Sequence, residues 1–197
     1  MVEYSVRYIG PRNPWSNTRF SKIGNKIAFI TTNYHPFGYR NGNVYGIFEL
    51  NEQGYPVNLK TENYVREHFR GSDYWSTTIV AFTWQNGNLT KTEWEREDID
   101  GSSAGTLTFT HDDKKTPFYH CNTPKWILWW LNYCNWNGFN EYYGGHNYGY
   151  NENNIKTETR KGGTTITYDY TYNDNGFPVT RAWNAEASAY SETYTYK

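Results

Sequence analysis

The chain has 197 residues, and its 19 lysines and arginines almost balance its 20 aspartates and glutamates. A formal net charge of -1 supplies no field that would attract a nucleic acid, so we expect no nucleic-acid partner. The mean hydropathy of -0.93 predicts no transmembrane helix. Because the chain contains 20 Tyr, 10 Phe and 9 Trp, its core must consist largely of aromatic rings.

The N-terminus lacks a basic start followed by an apolar stretch, which is the pattern of a secretory signal. A strand pattern instead begins directly after Met1. We therefore expect that the natural N-terminus has been removed and that Met1 was added.

Strand patterns bounded by turn signals occupy most of the chain. The predicted strands are residues 4–9, 27–32, 44–50, 55–61, 77–84, 89–95, 106–111 (ending at the polar run 112–115), 155–160, 164–172 and 177–183, with one more in the last segment. Asn86-Gly87 and Gly162-Gly163 are strong signals for tight hairpin turns. Roughly ten to twelve antiparallel strands in a meander follow, which is typical of an all-β sandwich or barrel.

One pattern of ten residues occurs twice, at 48–57 and 170–179. Each copy has an alternating strand end, a polar turn that ends in Gly, and an aromatic residue before Pro56 or Pro178. A missing N–H is tolerated at such a strand start. We call this pattern the cassette, and it predicts one β-hairpin at each place.

Residues 124–134 interrupt the strands with an apolar segment that predicts a helix of about three turns, capped by Thr123 and begun by Pro124. The next residues, up to 154, are dense in Tyr, Asn and Gly and predict a long loop. This helix-loop insert, 123–154, belongs to a single predicted domain of residues 1–197. A helix between Cys121 and Cys134 would separate them by roughly 15 to 20 Å, too far for a disulfide, so we expect two buried free thiols unless the segment folds back.

Four segments carry a resemblance: residues 109–118, the apolar helical insert, residues 147–156 with their paired Asn153-Asn154, and residues 167–179. Together they resemble a family of unknown function that has a porin-like fold and is found in envelope lipoproteins of gut anaerobic bacteria. The resemblance implies an antiparallel barrel or strongly curled sheet, located outside the cytoplasm and lipid-anchored through the removed N-terminus. It implies no reaction. Because one face of residues 164–172 consists of Thr and Asp, we expect a soluble or lipid-tethered domain rather than a membrane barrel.

Catalytic and metal-binding patterns are weak. Glu93, Glu95 and Glu97 alternate along one predicted strand, which favours a solvated face over an acid–base site. The five histidines show no zinc-binding spacing. Ser102 and Ser103 lie beside Gly101 in a predicted loop, which does not support a catalytic serine. We therefore predict no catalytic residue, no metal and no cofactor.

The helix-loop insert is the remaining candidate site. The predicted ligand-binding residues are Trp129, Trp136, Tyr142, Tyr143 and Tyr148, because rings stack on sugar faces while neighbouring amides bind hydroxyls. Trp126 and Trp130 are instead expected in the core.

The leading functional hypothesis is a non-catalytic exported domain that binds a glycan. The first alternative is a structural or protein-interaction envelope domain without a small-molecule site. A weaker alternative is a hydrolase that uses carboxylates such as Glu141 or Glu152.

Overall fold

The computed structural model describes residues 2–10, 13–33, 42–66, 73–134, 150–185 and 188–196. Within these ranges the chain forms twelve strands and one helix, which follow one another as β1 (Val2–Gly10), β2 (Asn13–Ile23), β3 (Lys26–Asn33), β4 (Gly42–Leu50), β5 (Pro56–Arg66), β6 (Asp73–Gln85), β7 (Asn88–Asp98), β8 (Gly101–Lys115), α1 (Lys125–Cys134), β9 (Asn153–Arg160), β10 (Thr165–Tyr172), β11 (Pro178–Ala185) and β12 (Ser188–Thr193).

The strands form one sheet whose spatial order is the chain order, β1 to β12. Registered neighbours such as β4 and β5 or β10 and β11 are antiparallel, so the predicted all-β antiparallel meander with a short helical insert is confirmed. Strands β1 and β12 stand at the two ends of this order, and no pairing between them closes a barrel in the described residues.

Two details differ from the predicted strands. Strand β2 was not predicted, although it pairs with β1 and β3 along most of its length. Strand β8 does not end at His111 but continues to Lys115. Its pairing with β9 is irregular there, with register shifts on both sides of His111, so the polar run 112–115 belongs to a bulged strand end.

The chain divides into two compact units, residues 1–81 with 93–105 and residues 82–92 with 106–197. The first unit has a core of aromatic and aliphatic side chains from β2 to β6. Phe29 lies between Phe20 and Phe48, with ring centroids 6.2 and 6.1 Å away. Its ring covers Gly46, where an added Cβ would lie 2.1 Å from the ring. The single predicted domain stays a prediction.

The second unit contains helix α1, whose tryptophans belong to its core. Trp126 and Trp130 are 5% and 3% exposed, which confirms the expected core role of both rings. The Trp129 ring meets Phe82 edge-on, with centroids 5.2 Å apart. In the part of the chain that the structure describes, no helix has the length and apolar character needed to cross a membrane.

Both cassettes form the predicted hairpin with the same hydrogen bonds. The side-chain oxygen of Asn51 accepts bonds from the N–H groups of Gln53 and Tyr55, both at 3.0 Å. Asn173 makes the same pair of bonds in the second copy, at 3.1 and 3.0 Å. The glycine that ends each turn has a positive φ, +84° in the first copy and +77° in the second, a conformation that glycine adopts without strain. The cassette is therefore a local structural unit.

Replacing Asn51 with Ala should lower the free energy of unfolding by about 1 kcal/mol, because two backbone N–H groups lose their acceptor. Asn51→Asp keeps an acceptor oxygen and should remain close to wild type. Urea unfolding of both variants and of Glu52→Ala, an exposed neighbour in the same turn, measures the effect. Equal stability of Asn51→Ala and Glu52→Ala would show that the side chain does not hold the turn.

Candidate functional site

Of the five predicted site residues, only Trp129 lies within the described structure. Trp129 is 1% exposed, so its ring is not accessible to an external ligand, and its prediction as a ligand-binding residue is corrected to a core role. The other four candidates, Trp136, Tyr142, Tyr143 and Tyr148, and the carboxylate Glu141 lie outside the described residues. Glu152 forms an ion pair with Lys125 of α1, with nitrogen and oxygen 3.3 Å apart.

A cleft of about 350 Å³ lies elsewhere in the second unit, where the segment after β8 meets the turn of the second cassette. We call it the aromatic-amide cleft because four aromatic residues and two asparagines line it. Its lining residues are Pro117, Phe118, His120, Cys121, Asn173, Asn175, Phe177 and Tyr196. Two segments that carry the family resemblance, 109–118 and 167–179, thus contribute to one concave surface.

The two cassettes differ in what surrounds their aromatic residue. In the first copy this residue is Tyr55, which is 6% exposed and belongs to the core of the first unit. In the second copy it is Phe177, which is half-buried and lines the cleft. Because the turn geometry is the same in both copies, the cleft arises from the residues that pack against the second one.

The Phe177 ring contacts several other groups in or beside the cleft. The Phe177 ring lies 5.6 Å from His120 and 5.7 Å from Tyr196, measured between centroids. The ammonium group of Lys115 lies 5.5 Å from the centre of the same ring, a distance at which a cation is attracted to an aromatic face. Tyr196 donates a hydrogen bond of 2.6 Å to the carbonyl of Pro178, which fixes its ring beside the cleft.

The segment before Phe118 is held by an asparagine clamp, in which the side chain of Asn154 in β9 and the backbone carbonyl of Asn151 before β9 bind residues 112–116. Asn154 donates from its side chain to the carbonyl of Lys115 at 3.0 Å and to the carboxylate of Asp112 at 3.3 Å. Thr116 donates to the carbonyl of Asn151 at 3.0 Å. These bonds fix the backbone directly before Pro117 and Phe118.

Asp112 connects this clamp to the cassette turn. Its carboxylate also accepts a hydrogen bond from the hydroxyl of Tyr172, the residue directly before the turn. Burial, followed by this bond and the charge of Asp112, raises the pKa of Tyr172 well above its ordinary value. The Tyr172 hydroxyl therefore stays protonated near neutral pH and continues to donate.

Cys121 is an exposed free thiol, so the expectation that it is buried is wrong. Its S–H donates to the hydroxyl oxygen of Thr123 at 3.2 Å. Hydrogen bonding with Thr123 lowers the pKa of this thiol. The side chain of Cys134 lies outside the described residues.

The residues that line the cleft carry aromatic, amide, imidazole and thiol groups, together with one proline. Among the described residues that line it, none is Asp or Glu, so the carboxylate pair of a glycoside hydrolase is missing. Across the described ranges, no three His, Cys, Asp or Glu side chains come together as a metal site. Rings beside amides and an imidazole suit a ligand that has both apolar faces and hydrogen-bonding groups.

Comparison with known proteins adds no assignment: no family model, no curated protein and no solved structure matches this chain. The resemblance to the family with a porin-like fold stays a prediction.

Sequence reasoning identified both motifs that form the cleft but assigned them to turns and strands. One signal could have indicated the site: Phe118 and the cassette residue Phe177 each lie directly beside a proline, in or next to a polar turn that needs no large ring. Tyr196, at the C-terminal end of the described residues, has no neighbouring proline that could have indicated the cleft.

His111 predicts a pH effect in the β8 bulge that precedes the clamp. Desolvation, opposed by the charge of Asp112, lowers the pKa of His111 from 6.5 to about 4, and its Nε2 atom is buried without a partner in the described structure. The unfolded chain therefore binds more protons than the folded chain between these two values, so stability should fall as the pH falls through this window.

The measurement is the urea midpoint near neutral pH and at about pH 5. His111→Asn should lose less stability on acidification than wild type, whereas His120→Asn, at an exposed ring, should behave as wild type. An unchanged pH dependence in His111→Asn would contradict the assignment.

Proposed function

We propose that this protein is a non-catalytic domain that binds a glycan in the aromatic-amide cleft. The observation that carries the proposal is the combination of rings and side-chain amides on one concave surface: Phe118, Phe177 and Tyr196 with Asn173 and Asn175. Sugar rings have apolar C–H faces that stack on aromatic rings, and their hydroxyls bind amides.

The size and charge of the cleft support a small neutral sugar unit. Its volume of about 350 Å³ is near the lower end of the range of about 300 to 1,000 Å³ for ligand pockets, which fits one or two sugar rings rather than a long chain in full contact. The lining groups carry no fixed anionic charge, and Lys115 lies against the rings rather than in the lining. An acidic group on the sugar is therefore not required.

The location outside the cytoplasm and the lipid anchor remain part of this proposal. Their support is the resemblance of residues 109–118 and 167–179 to envelope lipoproteins. The alternative, a structural or protein-interaction domain, differs in a testable way because it gives the cleft no ligand.

Calorimetric titration with a panel of soluble neutral oligosaccharides tests the proposal. Phe118→Ala and Asn175→Ala should each weaken binding at least about tenfold, because the first removes a stacking ring and the second a hydroxyl partner. Both residues are exposed, so these variants should fold as wild type does.

Each variant has a matched control. Tyr119 is as exposed as Phe118, at 38%, and is its neighbour, but it does not line the cleft. Gln53 occupies in the first cassette the place that Asn175 occupies in the second. Tyr119→Ala and Gln53→Ala should bind as wild type. The absence of binding across the panel, or equal affinity of the cleft variants and their controls, would favour the structural alternative.

A further inference from the structure

The first unit exposes large apolar side chains on one face of strands β3 to β6. Ile30, Ile47 and Ile79 are 46%, 41% and 49% exposed, and Tyr45 and Trp75 are 39% and 54% exposed. We call these five residues the exposed apolar face. Single exposed apolar residues are common on protein surfaces, but a contiguous set of this kind marks an interaction site.

The register of the strands makes the set contiguous. Ile30 is the direct partner of Tyr45 across β3 and β4. Ile47 and Ile79 are the partners of Lys60 from its two sides, so they lie in one row across β4, β5 and β6. The rings of Tyr45 and Trp75 approach to 6.2 Å between centroids, which joins the tyrosine end of the face to the tryptophan end.

The other face of the same strands is also apolar. Phe29, Phe48, Leu59 and Val80 alternate with the exposed residues and are at most 3% exposed. An antiparallel sheet with one solvated face normally alternates apolar and polar residues. Apolar side chains on both faces are typical of a sheet that is covered on both sides.

This face carries two ion pairs, one in its middle and one at its edge, and Arg19 of β2, the strand partner of Ile30, adds a cation beside it. Lys60 and Glu62 point the same way from β5, where their side chains form an ion pair of 2.9 Å. Lys26 and Glu49 form a second pair of 2.9 Å between β3 and β4. Each pair places a cation beside an anion, which allows the face to complement itself in charge.

We propose that the exposed apolar face of one chain packs against the same face of a second copy of this chain. A two-fold axis that passes between Lys60 and Glu62 places Lys60 of each copy opposite Glu62 of its partner, so the contact is self-complementary in charge. Isoleucines interdigitate well between packed sheets, at about 10 Å spacing. Three exposed isoleucines favour a second copy of the chain over a glycan as the partner, because sugars stack on aromatic rings rather than on branched aliphatic side chains.

Charge reversal gives a sharp test, because sedimentation velocity can follow the association of the intact chain. Wild type should show a concentration-dependent dimer. Lys60→Glu places like charges opposite each other twice across the two-fold axis, and so does Glu62→Lys. Each single variant should therefore dimerise at least about tenfold more weakly than wild type.

Two complementary samples separate this geometry from a general loss of stability. The double variant Lys60→Glu/Glu62→Lys restores opposite charges and should dimerise as wild type. An equimolar mixture of the two single variants should form a heterodimer, since each then supplies the charge that the other needs. As a control, Glu52→Lys, in the turn between β4 and β5, should not change the association.

A wild-type chain that stays monomeric at the highest attainable concentration would overturn the proposal. So would a dimer that survives both single reversals and Ile47→Glu. Sugar binding that is lost in Trp75→Ala, together with a monomeric wild type, would assign this face to a glycan instead. None of these variants changes the aromatic-amide cleft, so the outcome is independent of the proposed function.

Discussion

The carboxylate of Asp112 is the contact on which the aromatic-amide cleft depends. It binds Asn154 of the asparagine clamp on one side and the hydroxyl of Tyr172 on the other. The clamp fixes the backbone before Phe118, and Tyr172 leads directly into the turn that contains Asn173. A half-buried carboxylate with several donors holds these elements together more strongly than neutral bonds would. The two bonds of Asp112 hold the segment before Phe118 next to the turn of the second cassette, and the cleft lies between them.

The cassettes show how one repeated local structure can have different surroundings in its two copies. In both, one asparagine side chain replaces two missing backbone acceptors, and a glycine completes the turn. The register shift at the strand end is also shared, with Leu50 opposite Pro56 and Tyr172 opposite Pro178. The aromatic residue of the first cassette, Tyr55, is buried in the core, whereas that of the second, Phe177, lines the cleft. Local sequence determines the turn, and long-range packing determines its surroundings.

The sequence predicted most of the fold because period-two patterns and glycine turns act locally. In β10, Tyr168 is buried and Thr167 is exposed, as alternation requires. The site could not be predicted in the same way, because Phe118, Phe177 and Tyr196 meet only through tertiary contacts. Trp129 shows the opposite error: its spacing from Trp126 and Trp130 was correct for a helix, but periodicity does not indicate which ring remains accessible.

The central claim is that the second cassette, and not the first, forms a ligand site. An NMR titration of the isotope-labelled chain with the tightest-binding neutral oligosaccharide tests it most directly. We expect saturable shifts of the amide signals of residues 116–121 and 173–177, with the signals of residues 51–55 unchanged. Equal shifts in both cassettes, or shifts confined to residues outside the cleft, would contradict the account.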